Sequence, residues 1–227
     1  MAIELAAIQR SVPDAPAREV AFGVIGIGKE PSERYISGIF DRPPDAMILV
    51  GFCGGADPTL APGDLHIARS FLNPDSSDAI DADPMLNARL SCAGRSAGGR
   101  VVAGTSTTVN TVAGRDAKMR LHETTGSASV NMEDYWVARA ARSVNVPFAS
   151  VRAVLDRANA EIPRYLSANP IGPARILTSL LIHPGRLPGL IRLARLVRTA
   201  SNSLSRCVIA AIETLSLELP ALPVVPK

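Results

Sequence analysis

Cysteine is scarce in this chain, with only Cys53, Cys92 and Cys207 among 227 residues. The three are far apart, odd in number and without a CxxC pair or a histidine at ligand spacing. Neither a disulfide framework nor a structural zinc site is expected, and no metal or cofactor is assigned. No apolar run reaches the roughly 18 residues that a membrane-spanning helix needs, which excludes an integral membrane protein of that kind. The opening Met1-Ala-Ile-Glu-Leu lacks the basic start and apolar stretch of a secretory leader and carries a carboxylate at its fourth position, so a cytoplasmic address is expected. Aromatic residues are few, at 4%, but hydrophobic residues reach 47% with 20% charged. That composition excludes disorder and collagen-like repeats, and with no low-complexity linker one core-bearing domain fits best. The excess of one charge sign is also small: 24 basic against 21 acidic residues give +3, a weak hint of an anionic partner.

What is present reads as alternating strands and helices. Ala46 to Cys53 is a continuous apolar run entered after Pro43-Pro44 and stopped by Gly54-Gly55, the pattern of a strand buried on both faces. A second predicted strand, Glu19 to Ile25, leads into Gly26-Ile-Gly28-Lys29 and a helix start at Pro31. A third covers Pro147 to Leu155, preceded by a short strand at Ala128 to Val130 and a helix over Met132 to Val144. Strands separated by helix-length intervals indicate an α/β fold. The segment from Asp75 to Asp83, with aspartates at 75, 78, 81 and 83, reads as an exposed loop and lacks the glycine and closing glutamate of a calcium loop.

The character changes near residue 162. Between Ile162 and Ile212 there are seven arginines (164, 175, 186, 192, 195, 198 and 206) and no aspartate or glutamate, leaving 17 basic against 21 acidic residues elsewhere. A helix over Leu187 to Leu215 would line Leu190, Ala194, Val197, Leu204 and Val208 on one face and set Arg192, Arg195 and Arg206 opposite. This basic amphipathic element either lies on an anionic membrane surface or packs on its own domain with solvated arginines. It has no interleaved aromatics and no recognition motif, so nucleic acid is not an expected partner.

Two features bear on chemistry. Gly23-Val-Ile-Gly26-Ile-Gly28-Lys29 is neither a dinucleotide nor a P-loop fingerprint, since Glu30 stands where the latter needs a hydroxyl. Gly51, Gly54 and Gly55 at a strand end either make a tight turn or let a flat ring or a sugar reach the backbone. More informative are Glu133 and Asp134 at a strand-to-helix junction and Asp156 at the end of the next strand, the edge where ligands bind in an open α/β sheet. Two carboxylates there can divide the labour, one holding hydroxyls and one donating a proton. Taken locally, Glu133 also fits a helix first-turn charge and Asp156 a helix N-cap.

In order along the chain, Gly26-Ile-Gly28-Lys29, Val50 to Asp64, Ala103-Gly-Thr105-Ser106-Thr107-Thr108, Val130-Asn131-Met132-Glu133 and Val146 to Asn159 resemble the nucleoside phosphorylase and nucleosidase superfamily, which includes the methylthioadenosine/adenosylhomocysteine nucleosidases. The resemblance covers roughly residues 19 to 160. It implies a three-layer α/β/α sandwich around a mixed central sheet, with residues 1–161 as the catalytic core and residues 162–227 as a helical extension packed on the same domain. His183-Pro-Gly-Arg-Leu-Pro-Gly through Arg195 looks like the C-terminal extension of the hopanoid-associated branch, the adenosylhopane nucleosidases that release adenine and leave ribosylhopane.

By that resemblance Asp156 is the general acid that protonates N7 of the leaving adenine, with burial raising its pKa. Glu133 grips the ribose hydroxyls, and Met132 and Asn131 stand beside the sugar. Gly54 and Gly55 border the base, Phe148 or Phe52 stacks nearby, and Thr105 and Ser106 offer hydroxyls. The resemblance also implies a homo-oligomer and a nucleoside substrate, triterpenoid-linked in the hopanoid branch, with peripheral membrane contact through 187–212 at the inner face. The chain departs from the family pattern in three respects: Asn131 replaces a glutamate, Leu155 replaces a serine, and the opening strand that delivers a water-activating carboxylate is missing, with Glu4 its only substitute. Alternatives are a phosphorylase using phosphate, a methylthioadenosine/adenosylhomocysteine nucleosidase, and a catalytically impaired nucleoside-binding protein.

Overall fold

The proline pair ahead of residue 46 and the glycines after residue 53 bound a strand as the pattern predicts: β1 spans Met47–Gly55. The computed structural model describes residues 20–38, 43–160 and 187–217. In chain order the elements are α1 (Lys29–Ser37), β1, β2 (Leu65–Leu72), β3 (Ile80–Asp81), α2 (Pro84–Ser96), β4 (Val101–Thr108), α3 (Arg115–Thr125), β5 (Ser127–Asn131), α4 (Asp134–Ser143), β6 (Phe148–Asp156) and α5 (Leu187–Leu217).

The strands form one mixed sheet in the order β3-β2-β4-β5-β1-β6. β1 and β6 run parallel from Met47↔Phe148 to Cys53↔Val154. β2, β4 and β5 run parallel to one another and antiparallel to that pair. β2 forks: Leu65 to Ile67 pair with β6, while Ser70 and Phe71 pair with β3. The fork closes the sheet on itself, which the open-sheet expectation did not contain. Closure requires twist, and register shifts at Cys53/Gly54, Ala68/Ser70 and Thr105/Ser106 supply irregularities where strands bend.

Helices cover both sides, in the α/β/α layering expected. Leu65, Ile67, Ala149, Val151 and Ala153 pack with Leu86, Leu90 and Ala93 of α2 and Ala200, Leu204 and Cys207 of α5. On the other side Phe71 and Phe148 pack with Tyr135, Trp136 and Ala138 of α4 and Ile36 of α1. Asp83 caps α2 by accepting from the Leu86 N–H at 2.8 Å, with Pro84 in the first turn.

Residues 20–26 form no strand, contrary to the sequence pattern. Phe22 packs on one cluster and Ile25 on the other, while Val20 and Val24 stay exposed. The glycines within the run explain this: a Cβ on Gly23 would lie 1.3 Å from the Tyr35 hydroxyl, and one on Gly26 would lie 2.3 Å from Pro31 Cβ. The backbone here lies against α1 rather than beside a strand. The Asp75–Asp83 loop is likewise more structured than expected, holding β3 and the α2 cap, with Asp78 accepting from Ser76, Tyr135 and Arg142.

α5 buries Ala200, Leu204, Cys207, Val208 and Ala211. Of the expected apolar stripe, Leu204 and Val208 are buried, Val197 is half-buried and Ala194 is exposed, while the Leu190 side chain lies outside the described residues. In its first half Ile191, Arg192, Arg195 and Arg198 are exposed while Leu193 and Leu196 are half-buried. Anchoring thus comes from the second half. Leu204→Ala should lower stability by about 2–5 kcal/mol in urea unfolding, because the site is 2% exposed and enclosed by α2 and β6. Arg195→Ala should change it by less than about 0.5 kcal/mol.

Candidate active site

Alternation along β6 decides which of its side chains can do chemistry. Ala149, Val151 and Ala153 enter the apolar cluster under α5, whereas Ser150 and Arg152 reach the opposite side, toward Asp134 at the head of α4. Asp134 is fully buried and fully engaged. Its Oδ1 accepts from the Ser150 hydroxyl at 3.0 Å and from Arg152 Nε at 2.9 Å and Nη2, and its Oδ2 accepts from Ser106 at 2.9 Å and the Asn131 amide at 2.8 Å. Arg152 also lies 3.2 Å from Glu133. A Cβ on Gly51 would fall 2.4 Å from Arg152 Nη1, so only glycine leaves room for the guanidinium to cross β1.

Asn131 organises the turn that presents Glu133. Its Oδ1 accepts from the backbone N–H groups of Glu133 at 3.0 Å and Asp134 at 2.8 Å, satisfying donors at the start of α4. Its amide donates to Ser106 at 2.6 Å, and Thr108 bridges Asn131 and the Tyr135 N–H. A glutamate here would bring a further carboxylate beside Asp134 and Glu133; the neutral amide both accepts and donates. Burial pushes the Glu133 carboxyl up, with Arg152 and backbone N–H groups of Met132 and Gly28 opposing and Asp134 adding to it.

Gly54 brings the second carboxylate to this turn. It pairs with Val130 on one side and Asp156 on the other, and a Cβ there would lie 3.1 Å from Val130 and 3.2 Å from Asp156 Oδ1. A Cβ on Gly55 would lie 3.1 Å from the Asp156 carbonyl. The missing side chains thus admit the protein's own groups, and the glycines lie within β1 rather than in the tight turn that was one of the two alternatives open from sequence. Asp156, itself 7% exposed, is ion-paired with Lys118 of α3, whose Nζ also donates to the Arg157 carbonyl at 2.6 Å. Burial raises the Asp156 carboxyl above the usual range while Lys118 opposes it. Cys53, between the two groups, feels Arg152, Asp134 and Asp156, and burial foremost pushes its thiol up to about 12.

Asp156, Glu133, Asn131, Met132, Gly54 and Gly55 therefore gather around one strand end, with Met132 half-buried. Other predicted site residues are elsewhere or already occupied. Phe148 begins β6, eight residues before Asp156, with its ring 5.1 Å from Phe71 in the apolar core. Phe52 packs on the cluster under α5. Ser106 is fully buried and spent on Asp134 and Asn131; Thr105 is half-buried, its hydroxyl 3.1 Å from Ser70. Glu4 lies outside the described residues. Sequence reasoning missed Lys118 and Arg152, and it placed Asp134 at the strand-to-helix junction without its role as the buried partner of Arg152. Two-residue alternation back from Asp156 would have found Arg152; nothing local marked Lys118. Among the described residues no group of three or more His, Cys, Asp and Glu is arranged to hold a metal, and no helix is long and apolar enough to cross a membrane.

A family model described as "Phosphorylase superfamily" matches residues 15–170. Among solved structures, an S-adenosylhomocysteine nucleosidase from Streptococcus pyogenes is 20% identical, covering 95% of this chain and 94% of its own, with TM-score 0.69. A methylthioadenosine/S-adenosylhomocysteine nucleosidase from Colwellia psychrerythraea, solved with adenine, is 20% identical over 95% and 92%, with TM-score 0.69. A futalosine hydrolase from Helicobacter pylori is 14% identical over 94% of each chain, also with TM-score 0.69. Identities this low carry the fold. No curated protein matches the chain.

Two stability predictions follow from the buried polar groups. Asp134→Ala strands Arg152, 2% exposed, and should cost about 3–5 kcal/mol in denaturant unfolding. His66 is fully buried, 2.9 Å from Ser129 through Nδ1 and with Nε2 unpartnered, and desolvation foremost lowers its pKa to about 4. Its unfolded form takes a proton near pH 6.5 and its folded form does not. Above pH 6.5 the group is neutral in both states, so stability should fall as pH drops from about 6.5 to about 4, by on the order of 3 kcal/mol from this group. His66→Gln should flatten that part of a pH series of unfolding free energies; an unchanged slope would assign the acid sensitivity to another group.

Proposed function

The chain belongs to the phosphorylase superfamily, and from that membership we propose that it hydrolyses the N-glycosidic bond of an adenine nucleoside and releases adenine. The observation that carries this reading is the pairing of Gly54 with both Val130 and Asp156, since it brings a buried acid and the Glu133 turn to one place. Asp156 donates a proton to N7 as the bond to N9 breaks. Glu133, held by Arg152, accepts hydrogen bonds from the ribose hydroxyls and stabilises positive charge developing on the sugar, with Met132 against the ring. Water is the acceptor, and we assign its activation to Glu4 on sequence position alone. Arg152 supports water over phosphate: buried and committed to two carboxylates, it is not available to an anion.

For the 5' substituent we propose a triterpenoid, making adenosylhopane the substrate and ribosylhopane the second product. The support is the tail resemblance together with the first half of α5, where exposed Ile191 and half-buried Leu193 and Leu196 stand among exposed Arg192, Arg195 and Arg198. Apolar and cationic residues so mixed suit contact with an anionic lipid surface. Exposed Val20, Val24 and Ile27 beside the Gly28 turn are consistent with self-association, which we also propose.

The test is incubation with adenosylhopane or methylthioadenosine, with and without phosphate, followed by mass spectrometry for adenine. Release from adenosylhopane without phosphate is expected. Preference for methylthioadenosine would remove the hopanoid assignment, and strict phosphate dependence would remove the hydrolase. Asp156→Asn should reduce turnover about 10²–10⁴-fold, and a variant matching wild type would eliminate Asp156 as the acid.

A further inference from the structure

We propose that Lys118 acts through Asp156 as a positioning residue that also holds the proton the leaving base takes. The inference rests on the hydrolytic reading above. Among the residues of α3 only Lys118 is buried, at 1% exposure; Met119, Arg120, Glu123 and Thr124 are exposed and Ala117, Leu121 and His122 half-buried. A helix that packs through apolar side chains does not place a lysine at its most enclosed position, because removing an ammonium from water costs several kcal/mol. Here that cost is offset by two acceptors, the Asp156 carboxylate and the Arg157 carbonyl. Gly54 completes the enclosure, since a Cβ there would lie 3.5 Å from Lys118 Cδ and 3.2 Å from Asp156 Oδ1.

A carboxylate in contact with an ammonium is ionised, so Asp156 in this pair has no proton of its own to donate. The proton must come from its partner. As the C1'–N9 bond breaks, its electron pair passes to the base and N7 gains a proton from Asp156, while Asp156 takes one from Lys118 Nζ. Lys118 becomes a neutral amine. Water then adds to C1', and the proton it loses restores the ammonium, so nucleoside and water become ribosyl product and adenine with the pair regenerated. The pair carries no net charge at rest and one negative charge as the sugar becomes cationic, which favours the transition state.

The titratable groups around the pair are few. Cys53 of β1 feels Asp156, and Arg152, Asp134 and Glu133 form the network beyond it. On α3 itself His122 is 2.9 Å from the Ser127 carbonyl, and it interacts with Asp57 in the loop after β1. None stands between Lys118 and Asp156.

The test compares pH profiles of adenine release for wild type, Lys118→Met and Lys118→Arg, with Asp156→Asn as reference. Lys118→Met leaves a lone buried carboxyl that holds its own proton, so it should stay active at acid pH and lose at least tenfold more turnover than wild type as pH rises past neutrality. Lys118→Arg keeps the charge but gives up no proton in the accessible range, so it should lose about 10²-fold in kcat across the whole range with KM little changed. If Lys118→Arg restores wild-type kcat, or Lys118→Met keeps the wild-type profile, the pair is structural and the proposal fails. Should either variant not fold, the other still decides by its own signature. Wild type releasing no adenine would overturn the hydrolytic reading itself, whereas activity lost in Asp156→Asn but retained in both lysine variants would overturn only the role of Lys118.

Discussion

The buried ion pair between Arg152 and Asp134 is the interaction on which the rest of the site depends. Neither group has access to bulk water, and each would be costly alone. Their compatibility with a folded core comes from saturation: Asp134 accepts from Ser150, Ser106, Asn131 and the guanidinium, and Arg152 spans to Glu133 as well. Those donors come from β4, β5 and β6, so the pair ties three strands to the start of α4. It also fixes the register in which Glu133 is presented.

Glycine is the second constraint. Gly51 lets Arg152 cross β1, and Gly54 lets Asp156 approach from β6 while Val130 approaches from β5. Both glycines lie in a strand, where the residue is ordinarily a weak choice, and each is explained by a specific atom that a Cβ would meet. The two carboxylates then differ by their cations. Glu133 is held by a guanidinium, whereas Asp156 is held by an ammonium. In the mechanism we propose, that difference separates a group that binds from one that moves a proton.

Much of this was legible along the chain. The apolar run before Gly54, the strand-helix-strand unit from residue 128 to 155 and the positions of Glu133 and Asp156 at element ends all follow from periodicity and punctuation. Residues 20–26 misled because the apolar run from Val20 to Ile25 reads as a strand, while Gly23 and Gly26 were needed to admit Tyr35 and Pro31. Phe148 misled because a motif places a residue in sequence without saying which end of a nine-residue strand faces a site. Ser106 was recognisable as a hydroxyl but not as one consumed by Asp134.

By itself the sequence determined the α/β class, the strand before Gly54, the strand-helix-strand unit from residue 128 to 155, the concentration of positive charge between residues 162 and 212, and the two carboxylates worth watching, because these are properties of local pattern. Tertiary structure alone decided that the sheet closes through β2, that the Asn131 amide joins Ser106 and Asp134, and which cation each carboxylate meets. Lys118 and Asp156 are 38 positions apart. No local rule connects a lysine on a largely exposed helix to an aspartate at a distant strand end; only the packing of α3 on β5, together with the pairing of β5 with β1 and of β1 with β6, makes them partners.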